Sequence, residues 1–156
     1  MRVTILSVGH RMAGWIQEGF QEYARRMPPE IRLDLVELKP EERGAGRPAE
    51  RAKALEGERL LAALPPDGTL LALDEKGRAV STQGLSVMLT EWMREGSHPV
   101  FAIGGADGLA PAVKERAAKL VSLSMLTLPH GLVRVLLAEQ IYRAWTILAH
   151  HPYHRE

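Results

Sequence analysis

The side chains of this sequence with most chemical capability gather at its C-terminal end. Tyr153, His154 and Arg155 stand in a row: a phenol, a proton acceptor and a phosphate-binding cation. A frayed, solvated terminus is the competing reading of such a tail. His150 and His154 have the spacing of metal ligands, but Pro152 breaks the helix that would present them together. No carboxylate-and-histidine cluster accompanies them, so no metal site is expected.

Two glycine-bearing loops come next. Gly104-Gly105-Ala106-Asp107-Gly108 directly follows the apolar run Pro99–Ile103 and precedes a helix, so its backbone can approach a ligand closely. A tight strand-to-helix turn would need the same glycines. Ser124-Met125-Leu126-Thr127-Leu128-Pro129-His130-Gly131 is apolar for a loop. It is either buried against the rest of the protein or the lining of an apolar pocket of the kind adenine requires. A third stretch, Gly44-Ala45-Gly46-Arg47-Pro48-Ala49, matches a dinucleotide fingerprint only in form. A polar segment separates it from the preceding strand, and Pro48 stands where the helix should pack, so it reads as loop.

These loops need elements to hold them. Residues 2–8 read as a buried strand closed by Gly9, and Met12–Met27 as an amphipathic helix carrying Trp15, Ile16, Phe20 and Tyr23 on one stripe. Ile31–Leu38 is a second strand, Lys39–Pro48 a mobile polar loop, and Ala49–Leu64 a helix stopped by Pro65-Pro66. Thr69–Leu73 reads as a central strand ending in a polar turn, Asp74–Arg78. Ser81 or Thr82 caps a helix bearing Leu85, Leu89 and Trp92. After the Pro99–Ile103 strand, a helix near Pro111–Ala118 leads to a short strand, Leu120–Leu123. A last helix, Leu132 to about Ala149, is apolar nearly all round, which requires burial on every side, in the domain's own core or against a partner chain. Strands alternating with helices give an α/β fold with a mostly parallel sheet covered on both faces. Ligands of such sheets sit beyond the carboxyl ends of the strands, here after Leu73, Ile103 and Leu123.

Length bounds the rest. With 156 residues the chain is expected to form a single domain, 1–156, large enough for a real core. Absence of cysteine excludes disulfides, thiolate metal sites and cysteine nucleophiles. Lys plus Arg number 20 against 19 Asp plus Glu, so net charge does not identify a nucleic-acid binder. Neither a signal-peptide pattern nor a membrane-length apolar run is visible, and a cytoplasmic protein is expected.

Taken together, Val8-Gly9, the Trp15–Tyr23–Arg26 helix, Leu73-Asp74-Glu75-Lys76-Gly77 and Phe101–Leu109 resemble the RlmH-type family of SPOUT methyltransferases. So do Leu123–His130, Leu132–Leu136, Glu139–Ala144 and the closing His151-Pro152-Tyr153-His154-Arg155-Glu156. The similarity spans nearly the whole chain. It departs from the pattern at His10, where a small hydroxyl residue would be expected.

The resemblance implies an α/β sheet with a C-terminal trefoil knot that includes Ser124–Gly131, and a homodimer with the knot and last helix at its interface. It implies transfer of a methyl group from S-adenosylmethionine to N3 of a pseudouridine in large-subunit ribosomal RNA within the assembled ribosome. Carried over by position, the cofactor should touch Leu73, Gly104, Gly105 and Ser124, Met125, Leu126, Thr127, Leu128 and Pro129. Methyl transfer to N3 requires alignment and removal of a proton. From side-chain chemistry the candidates are His154 as base or shuttle, Arg155 or Arg134 as the charge-stabilising cation, and Tyr153 for orientation or stacking. Glu139 is a second candidate base, or only an interface residue. Arg43 and Arg47 are candidate phosphate contacts. Two rival functions follow from the same residues: a non-catalytic RNA- or ribosome-binding module of this fold, and a dinucleotide-dependent oxidoreductase built on Gly44–Ala49.

Overall fold

A computed structural model describes residues 1–155. Glu156, the last residue of the closing motif, lies outside the described residues.

Five strands form one wholly parallel sheet in the order β2-β1-β4-β3-β5. They are β1 (Arg2–Val8), β2 (Arg32–Leu38), β3 (Gly68–Ala79), β4 (His98–Ile103) and β5 (Lys119–Ser122). The helices are α1 (Gly14–Arg26), α2 (Ala49–Ala63), α3 (Thr82–Glu95), α4 (Pro111–Arg116) and α5 (His130–Leu148). β1 and β4 are buried along almost their whole length, which is why they read as unbroken apolar runs rather than alternating ones.

Strand pleating splits the core into two layers. Val3, Ile5, Leu71, Phe101 and Val121 point to one face, where Phe20 of α1, Leu85 and Leu89 of α3 and Leu137 and Ile141 of α5 cover them. Leu6, Val8, Leu70, Ala72, Val100 and Ala102 point to the other, under Leu60 of α2 and Val113 of α4. Each fully buried Leu, Ile or Phe contributes about 1.5–3 kcal/mol. α5 lies between α1 and α3 and over the sheet. The domain's own core therefore accounts for most of its apolar circumference, although Leu136 stays partly exposed.

Three features depart from the sequence expectation. β3 does not stop at Leu73: its pairing with β5 shifts so that Leu73 and Arg78 both oppose Val121, and residues 74–77 bulge outward between them. Polarity in this stretch marks a bulge rather than the end of the strand. Gly77 allows it, because a Cβ there would sit 2.8 Å from the backbone of Leu120 and Val121.

The Lys39–Pro48 loop is tethered rather than free. Glu56 of α2 is 2 % exposed, and its carboxylate needs donors; they come from the Glu41 backbone N–H at 2.9 Å and both terminal nitrogens of Arg43 at 2.7 and 2.9 Å. Arg59 also donates to the Lys39 carbonyl, at 2.8 Å.

The tail, finally, does not fray up to Tyr153. Its phenol donates to Glu139 at 3.0 Å and its ring packs edge-on to Tyr142, centroids 4.8 Å apart.

Candidate active site

Beside the bulge of β3 and beyond the C-terminal ends of β4 and β5 the chain encloses an open pocket of about 580 Å³, within the size range of small-molecule sites. The three positions singled out by parallel-sheet geometry, after Leu73, Ile103 and Leu123, meet there. β3 supplies Leu73 and the bulge; the β4–α4 turn supplies Gly104 and Gly105; the loop after β5 supplies Ser124, Leu126, Thr127, Leu128 and Pro129. Met125 of the same loop does not line the pocket and is 95 % exposed.

Each wall is fixed locally. Gly104 has no room for a side chain: a Cβ would lie 2.4 Å from the Gly108 carbonyl carbon. At Gly105 a Cβ would meet Val8 at 3.1 Å and Glu56 at 3.4 Å, so the turn rests directly on the buried carboxylate. In the following loop the Ser124 hydroxyl accepts from the Leu126 N–H at 2.9 Å, a turn closed by its own side chain. Thr127 donates to Glu75 at 2.8 Å and ties this loop to the β3 bulge.

Charge on the rim is paired. Asp74 receives Lys114 at 2.7 Å and the Lys76 N–H at 2.9 Å, and these hydrogen bonds hold its carboxyl below the usual range. Arg43 bridges Glu56 and Asp107, the latter at 2.8 Å, and so binds the β2–α2 loop to the glycine turn. Burial pushes the Glu56 carboxyl up, but the Arg43 and Glu41 hydrogen bonds outweigh it and the net shift is downward.

The chemistry-bearing residues proposed from sequence divide by location. Tyr153 is anchored at Glu139, nine residues or ~13 Å along α5 from His130. Neither Tyr153, His154 nor Arg155 lines the pocket. Burial and then the Glu139 hydrogen bond push the Tyr153 phenol up, so it stays protonated. Glu139 also receives Arg143 at 2.6 Å and Gln140 at 2.7 Å. Arg134 is 1 % exposed and already engaged, with Nη1 on Glu37 at 2.8 Å and Nη2 on Ser7 at 2.9 Å. Arg43 is occupied by carboxylates and Arg47 pairs with Glu42, so neither stands free toward a phosphate. Gly44–Ala49 lies outside the pocket.

Several pocket residues were given no role from sequence, among them Lys53 on α2, Asp74, Lys114 on α4 and His130 at the start of α5. Asp74 was within reach, since it directly follows a strand end already singled out. Lys53 and Lys114 carry no local signal, because only the packing of α2 and α4 across the strand ends brings them near. At the opposite edge His98 joins Thr4 at 2.8 Å to Asp67 at 3.2 Å, the connectivity of a nucleophilic triad. Thr4 is buried within β1, so no substrate reaches its hydroxyl.

The sequence as a whole matches a known family. The family described as "Predicted SPOUT methyltransferase" matches residues 1–154. The chain belongs to this family. Proteins named ribosomal RNA large subunit methyltransferase H from Ralstonia pickettii (strain 12J) and Burkholderia mallei (strain SAVP1) are each 56 % identical over 155 residues, covering 99 % of both chains. The same holds for a protein of that name from Burkholderia pseudomallei (strain 668). As a SPOUT methyltransferase the chain is an enzyme that uses a methyl donor, and the α/β reading of its sequence stands. No described helix is long and apolar enough to cross a membrane.

Proposed function

We propose that this enzyme methylates large-subunit ribosomal RNA in the cytoplasm, at N3 of a pseudouridine of the assembled ribosome, with S-adenosylmethionine as donor. The observation carrying this reading is the convergence of the bulge within β3 and the turns after β4 and β5 on one pocket. Near-full-length similarity to proteins named for ribosomal RNA methylation supports the substrate class.

The residues present fit such a donor. Leu73, Ile103, Leu126 and Leu128 offer apolar walls for adenine, and the backbone of Ser124–Pro129 offers N–H and C=O groups for its edge. The missing side chains at Gly104 and Gly105 let backbone approach the ligand. When bound, S-adenosylmethionine supplies a methyl group made electrophilic by its sulfonium. What remains for the protein is to align the nitrogen, exclude water and remove its proton.

Tyr153, His154 and Arg155 lie away from the pocket of their own chain, so we place them at the pocket of a second copy, in a homodimer. Trp15, Met125, Leu126 and Leu136 are large exposed apolar residues on or beside the N-terminal half of α5, and they support burial of that surface between copies. In this arrangement Arg155 meets developing negative charge on the base carbonyls, Tyr153 orients the nucleotide, and Glu139 with buried Arg134 hold the helix and tail in place.

The test adds radiolabelled S-adenosylmethionine and purified protein to ribosomes lacking the modification and maps the label by mass spectrometry. Label on one large-subunit pseudouridine is expected. Donor binding without transfer would favour a non-catalytic RNA-binding module, and no binding at saturation would end the reading.

A further inference from the structure

We infer that His130 is the proton acceptor of the reaction: its imidazole, at the first turn of α5, takes the N–H proton of the target base at the wall of the donor pocket. This rests on the function proposed above and names the group that function leaves open.

The argument starts from the proton-accepting side chains that line the pocket: Asp74, Glu75, Asp107 and His130, besides two hydroxyls. Each carboxylate is engaged. Asp74 holds Lys114 and the Lys76 N–H, Glu75 receives Thr127, and Asp107 receives Arg43. His130 alone of the four has no hydrogen-bond partner among the described residues. Nor is it loosely placed. It directly follows Leu128 and Pro129 of the donor loop, and its ring lies against Gly9, where a Cβ would sit 3.3 Å from Nε2. Its place in the pocket wall and its packing on Gly9 set the imidazole beside the chamber in which a target base would have to come within hydrogen-bond reach of it.

The surroundings favour the neutral, accepting form. Burial first, then the charge of Arg134 one turn along α5, hold the imidazole below the ordinary histidine pKa, against a weaker opposing pull from Glu56 of α2. The positive end of the α5 dipole acts in the same direction. Glu37 of β2 neutralises part of the Arg134 charge from the other side.

The step balances simply. The N–H bond of the target base breaks and a new N–H bond forms on the imidazole. The electron pair stays on the substrate nitrogen, which uses it to displace the donor's sulfur from the methyl carbon. The imidazolium then returns its proton to water.

Single-turnover methylation with saturating S-adenosylmethionine on unmodified ribosomes tests the assignment, alongside calorimetric donor binding and thermal melting. For His130→Gln the expected result is a folded protein with donor affinity within about threefold of wild type and a rate lower by roughly a hundred- to ten-thousand-fold. For His130→Ala, added imidazole should restore part of the rate. NMR titration of the ligand-free protein should show the His130 ring losing its proton at lower pH than an ordinary histidine. An unchanged rate and pH profile in His130→Gln overturns the assignment, as does a loss of donor affinity that accounts for the whole loss of rate. A hundredfold or greater loss in His154→Ala with His130→Gln intact moves the proton to the tail and overturns it too. If wild type itself neither binds donor nor labels RNA, it is the proposed function that fails.

Discussion

The Arg43 guanidinium grips the buried Glu56 carboxylate with both terminal nitrogens, at 2.7 and 2.9 Å, while its Nε holds Asp107 at 2.8 Å. One side chain thereby clamps the loop after β2, helix α2 and the glycine turn of the pocket together. Arg43→Ala strands a carboxylate that is 2 % exposed. Because Arg43 itself is a quarter exposed, we expect a cost of about 3 kcal/mol, at the low end for a broken buried pair, read by urea denaturation. Glu56→Gln should cost less, since it leaves no buried charge unpaired.

The same pair sets a pH dependence. Glu56 has a depressed carboxyl in the fold, so its contribution is present above the unfolded carboxylate value and is lost as pH falls through the folded one. Melting temperatures of wild type and Glu56→Gln measured from pH 7 down to pH 3 should converge in the acid limb. Parallel curves throughout would show that Glu56 titrates alike in both states.

Gly104→Ala probes the turn itself. A Cβ at 2.4 Å from the Gly108 carbonyl carbon cannot be accommodated without moving backbone. Donor affinity is expected to fall at least tenfold, with a stability loss of roughly 1–3 kcal/mol. Calorimetry and melting curves read the two effects separately.

Dimerisation is open to direct test. Trp15→Glu with Leu136→Glu places charge in the exposed apolar surface beside α5. Light scattering should report a monomer, donor binding should persist, and methylation should vanish. Mixing a tail-truncated chain with a full-length Gly104→Ala chain should restore methylation only if tail and pocket act from different copies.

Tyr153→Phe removes the hydrogen bond to Glu139, at an expected cost of about 1 kcal/mol. The phenol is pushed up in the fold, so its contribution is complete below the ordinary tyrosine pKa and is lost as pH rises above it. Between pH 9 and 11 the wild type should therefore lose stability faster than Tyr153→Phe.

Much of this arrangement was legible in the sequence. β1 and β4 announced themselves as continuous apolar runs, and of the two cap candidates, Ser81 and Thr82, it is Ser81 that accepts the Gly84 N–H, at 3.0 Å. Leu73, Gly104–Gly105 and the loop after β5 were found because strand ends and glycines mark where a parallel sheet presents ligands. What stayed hidden depends on contacts between distant residues. Glu56 looks like any helix-surface carboxylate until Arg43 and Gly105 are seen against it. Arg134 reads as a cation available to the reaction, yet its guanidinium donates to Ser7, 127 positions away in the chain. The tail, written as polar residues after a proline, gave no hint that Tyr142 and Glu139 would receive Tyr153.

Leu73 and Arg78 share one partner, Val121, so the backbone between them is an excursion sewn to the sheet at both ends. Its length is uncoupled from strand register. Residues exchanged or inserted between Asp74 and Lys76 would reshape one side of the pocket while β3 and β5 keep their alignment, with Gly77 fixed by the backbone it presses on. The enzyme thus carries a place where the dimensions of its ligand chamber can drift over generations without any strand having to be threaded anew.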